Sequence, residues 1–431
     1  MAVQPVLVWF KHDLRLADHE PLWHACQTGQ PVVAAVVVDA RLFETTVLGF
    51  PRMGHIRTRF LFESIRSLAG ELAARGGRLI IRYGDPATEI AGLVKSLGIA
   101  SVYTAGEVAP EEVALLQRLR HVLNPLGAKL TTCHHHTLVR SEDLPWPVAQ
   151  LPDVFTQFRK EVERACEVRT PLPVPATISF FNTDYPDHTL PAVPPAAEPA
   201  SHPASVVTYG GGEPEARRRL HEYIWTCDAL RTYKETRNGL LGANYSSKFS
   251  PALAVGTLSP RTIYHEVKRY EADRIANDST YWLVFELLWR DYFQFVMQKF
   301  GSRVFHSRGL RPAPVVWRRD SVLFEQWRLG HTGVPFVDAN MRELLHTGFM
   351  SNRGRQNVAS YLTKDLHLDW RWGAAWFESQ LIDYDVCSNW LNWAYVAGVG
   401  NDPREDRYFN IARQAERYDP QGAYVHAWLK N

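Results

Sequence analysis

The sequence predicts an N-terminal open, mostly parallel α/β sheet, then a proline-rich linker, then an all-helical domain. Three observations carry this. Strand-like and helix-like patterns alternate through roughly the first 140 residues; nine prolines fall between 171 and 203; and beyond 213 the periodic stretches are helical. Alternating strand and helix patterns mean parallel strands joined by helical crossovers, whereas proline at high density excludes helix and resists sheet pairing. The predicted boundaries are 1–140, 141–212 and 213–431.

In the first part, VLVWF (6–10) and PVVAAVVVD (31–39) are β-branched runs of the kind found in strands buried on both faces. A helix is predicted over 54–75, where Ile56, Phe60, Ile65, Leu68 and Leu72 share helical spacing. RLIIRYGDP (78–86), ASVYTAGE (100–107) and LTTCHHHTLV (130–139) complete a five-strand reading. In the last part, Ser250–Pro251 and Ser259–Pro260 each set a hydroxyl N-cap before a first-turn proline. Further helices are predicted near 279–299, 338–347, 353–365 and 371–382.

At 431 residues, with 45% hydrophobic and 22% charged residues, the chain has the composition of a globular protein of two or three domains. Its 14 tryptophans are unusual, and its net charge of +2 excludes a polyelectrolyte binder. The charge is uneven: residues 217–431 carry 29 Lys+Arg against 23 Asp+Glu, which permits a phosphate-bearing partner. Five cysteines without a CxxC pair fit a reduced compartment. The N-terminus has no secretory pattern and no apolar run reaches bilayer length, so a cytoplasmic location is expected, without membrane attachment.

Chemistry concentrates in four places. In YWLVFELLWRDYFQF (281–295), Glu286 shares a helical stripe with Trp282, Phe285, Trp289 and Phe293, with Arg290 at its border. Either a core helix pairs Glu286 with a buried arginine, or a pocket brings the carboxyl group to a flat ligand stacked on Trp289. GFMSNRGRQNVASYL (348–362) crowds Asn352, Arg353, Arg355, Gln356 and Asn357 onto a helix start. Such groups bind phosphates and base edges, or simply cap and solvate the helix. LIDYDVCSNWLNWAYVAG (381–398) holds Asp383, Asp385 and Asn389 among aromatics, with Arg355 available as an ion-pair partner. NYSSKFSP (244–251) leads hydroxyls and a lysine into a helix start, which suits a phosphate or an ordinary cap.

Metal is not expected. CHHH (133–136) is read as strand, where neighbours point to opposite faces. No GxxxxGK[ST] pattern surrounds GGG (210–212), and no GxGxxG follows the first strand.

Taken together, these blocks resemble the photolyase/cryptochrome flavoproteins, with the DASH-type cryptochromes the best match. The resemblance rests on VLVWFKHDLRLADHEPL (6–22), YKETRNGLLGANYSSKFSPALAVGTLSPR (233–261), NDSTYWLVFELLWRDYF (277–293), GFMSNRGRQN (348–357) and GVGNDPREDRYF (398–409). It implies FAD held in a bent conformation by the helical domain. Tyr233 and the loop Ser246, Ser247, Lys248, Phe249 and Ser250 match positions at the FAD diphosphate. Arg355 and Asp383 match the ion pair beside the isoalloxazine, Asp385 its polar edge, and Asn389 the residue facing N5. Trp393, Trp370 and Trp317 match a three-tryptophan electron chain.

The resemblance further implies light-driven splitting of cyclobutane pyrimidine dimers, in single-stranded DNA by preference. The catalytic group would be Glu286, with Trp289 as stacking wall and Arg290, Asn352 and Arg353 around the lesion and DNA. A blue-light receptor that photoreduces FAD without repair is the alternative. Gln356 and Tyr395 stand where ordinary dimer photolyases tend to have Met and Trp, as is usual in the DASH branch. Trp390–Leu391 replaces the Tyr–Gly expected there. A 5,10-methenyltetrahydrofolate antenna is expected between the domains, held by Glu111 or its neighbour Glu112. The chain is expected to act as a monomer, without the long tail of sensory cryptochromes.

Overall fold

The computed structural model describes residues 4–193, 202–401 and 407–430. Parts of the proline-rich stretch and of the block 398–409 therefore lie outside the described residues.

Five strands, β1 (Val6–Phe10), β2 (Val32–Asp39), β3 (Leu79–Gly84), β4 (Ser101–Ala105) and β5 (Lys129–Cys133), form one parallel sheet in the order β3-β2-β1-β4-β5. Every residue of β1 is buried because both faces are covered. Val6, Val8 and Phe10 pack with helices α1 (Glu20–Gln27) and α2 (His55–Ala73), while Leu7 and Trp9 pack with α3 (Pro86–Leu97) and α4 (Pro110–Leu123). Each such side chain contributes roughly 1.5–3 kcal/mol on burial, which is why the unbroken apolar runs of β1 and β2 specify central strands. The crossovers run to opposite faces on either side of β1. The carboxyl ends of β1, β2 and β4 therefore open a crevice at a topological switch point.

The strand expected over 130–139 ends at Cys133, and the three histidines follow it in a loop. Strand alternation is thus not what argues against a metal there. His19 Nδ1 accepts the Leu22 N–H at 3.0 Å and His135 Nδ1 accepts the Glu20 N–H at 3.2 Å. With Nδ1 accepting, each ring carries a proton on Nε2, facing Asp13 Oδ2 at 2.9 and 3.2 Å. The nitrogens a cation would need are already protonated, and burial drives the His135 imidazole down to about 3.

The segment after the sheet is not uniformly extended. Helix α5 (Phe155–Ala165) lies within it and buries Phe155, Phe158 and Val162 in the helical core. The proline-rich stretch as far as residue 193 is laid over the sheet domain. The Ser179 carbonyl accepts the Val32 N–H at 2.7 Å, and the His188 N–H donates to the Ile81 carbonyl at 2.8 Å.

The remaining helices are α6 (Glu213–His221), α7 (Tyr233–Thr236), α8 (Ser250–Ala254), α9 (Pro260–Asp273), α10 (Asp278–Phe300), α11 (Ser321–Arg328), α12 (Pro335–Thr347), α13 (Asn352–Ser360), α14 (Trp370–Gln380), α15 (Val386–Ala397), α16 (Ile411–Tyr418) and α17 (Ala423–Leu429). The stretch expected as one helix over 353–365 passes into a π-turn at Tyr361–Asp365. Two cores result, one centred on α10 and the other on α12, α13 and α14. Helix α15 joins them, giving Cys387 and Leu391 to the first and Trp393, Ala394 and Val396 to the second.

Sheet and helical domain meet through buried polar contacts. Arg261 Nη2 and Nε donate to the two carboxylate oxygens of Asp18 at 2.7 and 2.9 Å, and its Nη1 pairs with Glu20 at 3.0 Å. Gly256 has φ +73°, and a Cβ there would lie 1.9 Å from the His12 carbonyl oxygen, so close approach of the two backbones requires glycine. Among the described residues, no helix is long and apolar enough to cross a membrane.

Candidate active site: a cavity between the two helical cores

A cavity of about 490 Å³ separates the two helical cores. From the first core it receives Leu283, Leu287 and Phe293; from the second, Met350, Ala359, Phe377 and Trp393. Polar groups converge on it from chain segments far apart. Tyr233 and all five loop residues Ser246, Ser247, Lys248, Phe249 and Ser250 line it, as do Glu286, Trp289, Asn352, Arg355, Gln356, Asp383, Asp385, Asn389 and Tyr395.

Asp383 is the most constrained of these. Its Oδ2 accepts from Arg355 Nη2 at 2.7 Å and from Ser250 Oγ at 2.7 Å, while Arg355 Nε donates to the Met350 carbonyl at 2.8 Å. The other carboxylate oxygen, Oδ1, is buried without a protein partner. A buried acceptor of this kind calls for a donor within the cavity. Asn389 Nδ2 donates to the Ala374 carbonyl at 3.0 Å, which leaves Oδ1 as the acceptor at the cavity wall. Asp385 caps α15 through the Ser388 N–H at 2.7 Å and also accepts from Gln294 Nε2 at 3.1 Å.

The loop 246–250 turns sharply at Lys248, whose φ is +55°. Its ammonium lies 3.7 Å from the Tyr245 ring centre and 4.9 Å from that of Phe349. Burial brings its pKa down to about 7. The Tyr233 phenol is raised, again by burial.

Glu286 is both of the things its helix allowed. It lines the cavity, and it pairs with an arginine, Arg237. Its side chain is 32% exposed and that of Arg237 19%. Burial pushes its carboxyl up, while Arg237 pulls it back, and the net direction is upward. Trp289 stacks on Phe155 at 3.6 Å between ring centres, and its ring is edge-on to Tyr395 at 6.1 Å. Neither Arg237 nor Phe155 was singled out in the sequence. Arg237 sits inside the block 233–261, but nothing local signals that it meets a residue 49 positions away.

Two arginines are held by protein partners. Arg353 does not line the cavity: Nη1 donates to Gln356 Oε1 at 2.8 Å, Nη2 donates to Asn238 Oδ1 at 2.9 Å, and the guanidinium covers Tyr418 at 4.6 Å. Arg290 turns toward the first domain and donates to the His136 carbonyl. It lines a second cavity as well as the first.

That second cavity, about 170 Å³, occupies the crevice at the carboxyl ends of β1, β2 and β4. Arg290, Tyr384 and Asp385 form the wall it shares with the larger one. Glu111 and Glu112 both border it but differ in placement. Glu111 is 56% exposed and paired with Arg52 at 2.8 Å, whereas Glu112 Oε2 is buried without a partner. Burial, then the nearby Glu107, raises Glu112 to about 7. Burial also opposes ionisation of Glu107, yet Lys11 and His12 hold it well below the usual carboxylate range.

The three expected relay tryptophans are placed as follows. Trp393 is buried and lines the large cavity; its indole lies so close to α14 that a Cβ on Gly373 would be 2.2 Å from it. Trp370 is fully buried at the start of α14. Trp370 and Trp317 donate their Nε1 protons to one acceptor, the Ser307 carbonyl, at 3.1 and 2.8 Å. Backbone bonds from Arg318 to His367 and Asp369 hold the Trp317 segment beside α14.

The models of two families match this chain: DNA photolyase over residues 6–176, and the FAD binding domain of DNA photolyase over residues 282–431. The chain is 49% identical to a cryptochrome DASH of Gloeobacter violaceus, over all of this chain and 86% of that one. It is 50% identical to a cryptochrome DASH of Synechocystis, over 98% and 87% of the two chains. A Synechocystis cryptochrome crystal structure superposes with a TM-score of 0.96 at 49% identity, covering 100% of this chain and 89% of that one. A bacterial class III photolyase from Agrobacterium tumefaciens gives 0.86 at 29% identity, covering 99% and 87%. The chain belongs to the photolyase/cryptochrome family of FAD-binding flavoproteins. Within that family its full-length similarity places it in the DASH cryptochrome branch.

Proposed function

We propose that the protein is a light-driven lyase for cyclobutane pyrimidine dimers, acting by preference on single-stranded DNA. The observation that carries this reading is the shared cavity. Glu286, Trp289, Asn352, Gln356 and Tyr395 line the same space as Asp383, Asn389 and the loop 246–250. A flipped lesion and a flavin would therefore meet there. Reduced FAD, when bound and excited by blue light, supplies the electron that splits the dimer and takes it back.

The chain's own groups bind and orient. The Asp383 Oδ1 acceptor and the 246–250 loop would hold the cofactor. Asn389 Oδ1 would accept a hydrogen bond from the flavin. Glu286, whose carboxyl burial pushes toward the protonated form, donates to the lesion, and Trp289 with Tyr395 forms its aromatic wall. Trp393, Trp370 and Trp317 relay electrons inward to reduce the cofactor. A folate antenna, of the 5,10-methenyltetrahydrofolate kind, would sit at the crevice, with the buried Glu112 rather than Glu111 as its carboxylate.

The test is to illuminate chemically reduced, flavin-loaded protein with dimer-containing single strands and duplexes. Recovery of thymine absorbance, faster in single strands, is expected. No recovery in either would leave the photoreceptor reading.

A further inference from the structure

Trp390 is the departure from the family pattern, and the structure sets it against the proposed relay. Its ring meets that of Trp370 edge to face, with centres 5.7 Å apart and planes at 78°. Trp370 is fully buried, whereas Trp390, like Trp317, is partly exposed. A buried indole thus touches one indole that reaches the surface and shares a hydrogen-bond acceptor with another.

We propose that Trp390 is a second outlet of the tryptophan relay, giving an electron to oxidised Trp370 in parallel with Trp317. The proposal rests on the relay reading above. Electron transfer between aromatic rings in contact needs no intervening group. In this step Trp390 loses one electron and the Trp370 radical cation gains it, returning to a neutral indole. No bond forms or breaks, and no proton moves. An external thiol, oxidised to its thiyl radical with loss of the S–H proton, restores Trp390.

Two neighbours make Trp390 the end of the branch. Its Nε1 donates to Tyr384 Oη at 3.2 Å, and a phenol oxygen is too weak a base to take that proton. The oxidised indole therefore persists as a radical cation. Passage onward to Tyr384 is opposed by Arg57, whose guanidinium lies 4.4 Å from the Tyr384 ring centre. A packing role also exists, since Trp390 lies 4.8 Å from Phe305 between the two cores. Packing alone predicts no change in electron flow on substitution.

The experiment is a double-mutant cycle on flavin-loaded protein, reading flavin bleaching under blue light with a thiol present. W317F and W390F should each slow photoreduction only about 3-fold, and W317F/W390F roughly 30-fold or more, beyond the product of the two single effects. Flash spectroscopy should show a long-lived tryptophan radical cation in W317F and none in the double variant. Trp390→Leu removes the oxidisable ring altogether, and should behave like W390F should the latter fail to bind flavin. A complete loss in W317F alone, or a double variant no slower than W317F, would overturn the proposal. Wild-type photoreduction in W393F would instead overturn the relay itself.

Discussion

Arg237 Nη1 donates to Glu286 Oε1 across the wall of the large cavity, joining α10 to the turn that follows α7. The pair explains how an acid is tolerated on an otherwise apolar stripe, and it sets two opposed influences on that acid. Burial favours the protonated carboxyl, and the guanidinium favours the carboxylate. Glu286→Ala should keep flavin yet lose repair by roughly 100-fold, as expected when a preorganised donor is removed. Arg237→Met should let the Glu286 pKa rise further, since the charged form loses its partner. The alkaline limb of the repair rate against pH, measured on chemically reduced protein, should then move to higher pH.

Asp383 accepts from both Ser250 and Arg355 and keeps one buried oxygen for the cavity. Asp383→Asn removes the charge that strengthens these bonds, which is worth about 1.5–3 kcal/mol. The FAD dissociation constant, followed by flavin fluorescence on dilution, should rise by about 10- to 100-fold.

Of the three tryptophans proposed as a relay, Trp393 lines the cavity. Trp393→Phe should block photoreduction of the oxidised flavin, while the chemically reduced variant still repairs dimers at the parent rate. The two readouts separate electron supply from repair.

Arg261 and Asp18 form a bidentate pair, 3% and 0% exposed, across the domain boundary. Arg261→Met leaves the Asp18 carboxylate buried without its counter-charge, at a cost of about 3–5 kcal/mol. The urea midpoint, followed by circular dichroism, should fall accordingly. A surface arginine such as Arg413 changed the same way should barely move it.

His135 is buried neutral, its pKa driven by burial from the ordinary imidazole range down to about 3. The sign follows from proton uptake. Between about pH 6.5 and 3 the unfolded chain binds a proton that the folded one refuses, so stability falls as pH falls through that window. His135→Gln, which cannot take up a proton, should flatten the loss between pH 7 and 5 in denaturant titrations.

Much of this was legible residue by residue. The unbroken apolar runs at 6–10 and 32–39 announced strands covered on both faces. The stripe through Trp282, Glu286, Trp289 and Phe293 announced one face of a long helix. The family blocks then named the residue types that the large cavity collects. Less legible were the loop after β5, where an apparent strand ran on past Cys133, and helix α5 inside a segment taken as linker. There, local pattern yielded to contacts with distant elements.

The sequence by itself determined the central strands, the long helices and which face of each is apolar, because periodicity reports how a side chain points from its own backbone. Only the tertiary structure decided what stands opposite. It paired Glu286 with Arg237 and Asp383 with Ser250, 133 positions away, and it turned Arg290 toward the first domain. It also buried Glu112 while leaving Glu111 at the rim, and it set Trp390 against Trp370. These outcomes depend on how separate helices pack, and packing contacts between remote segments leave no periodic trace in the chain that makes them.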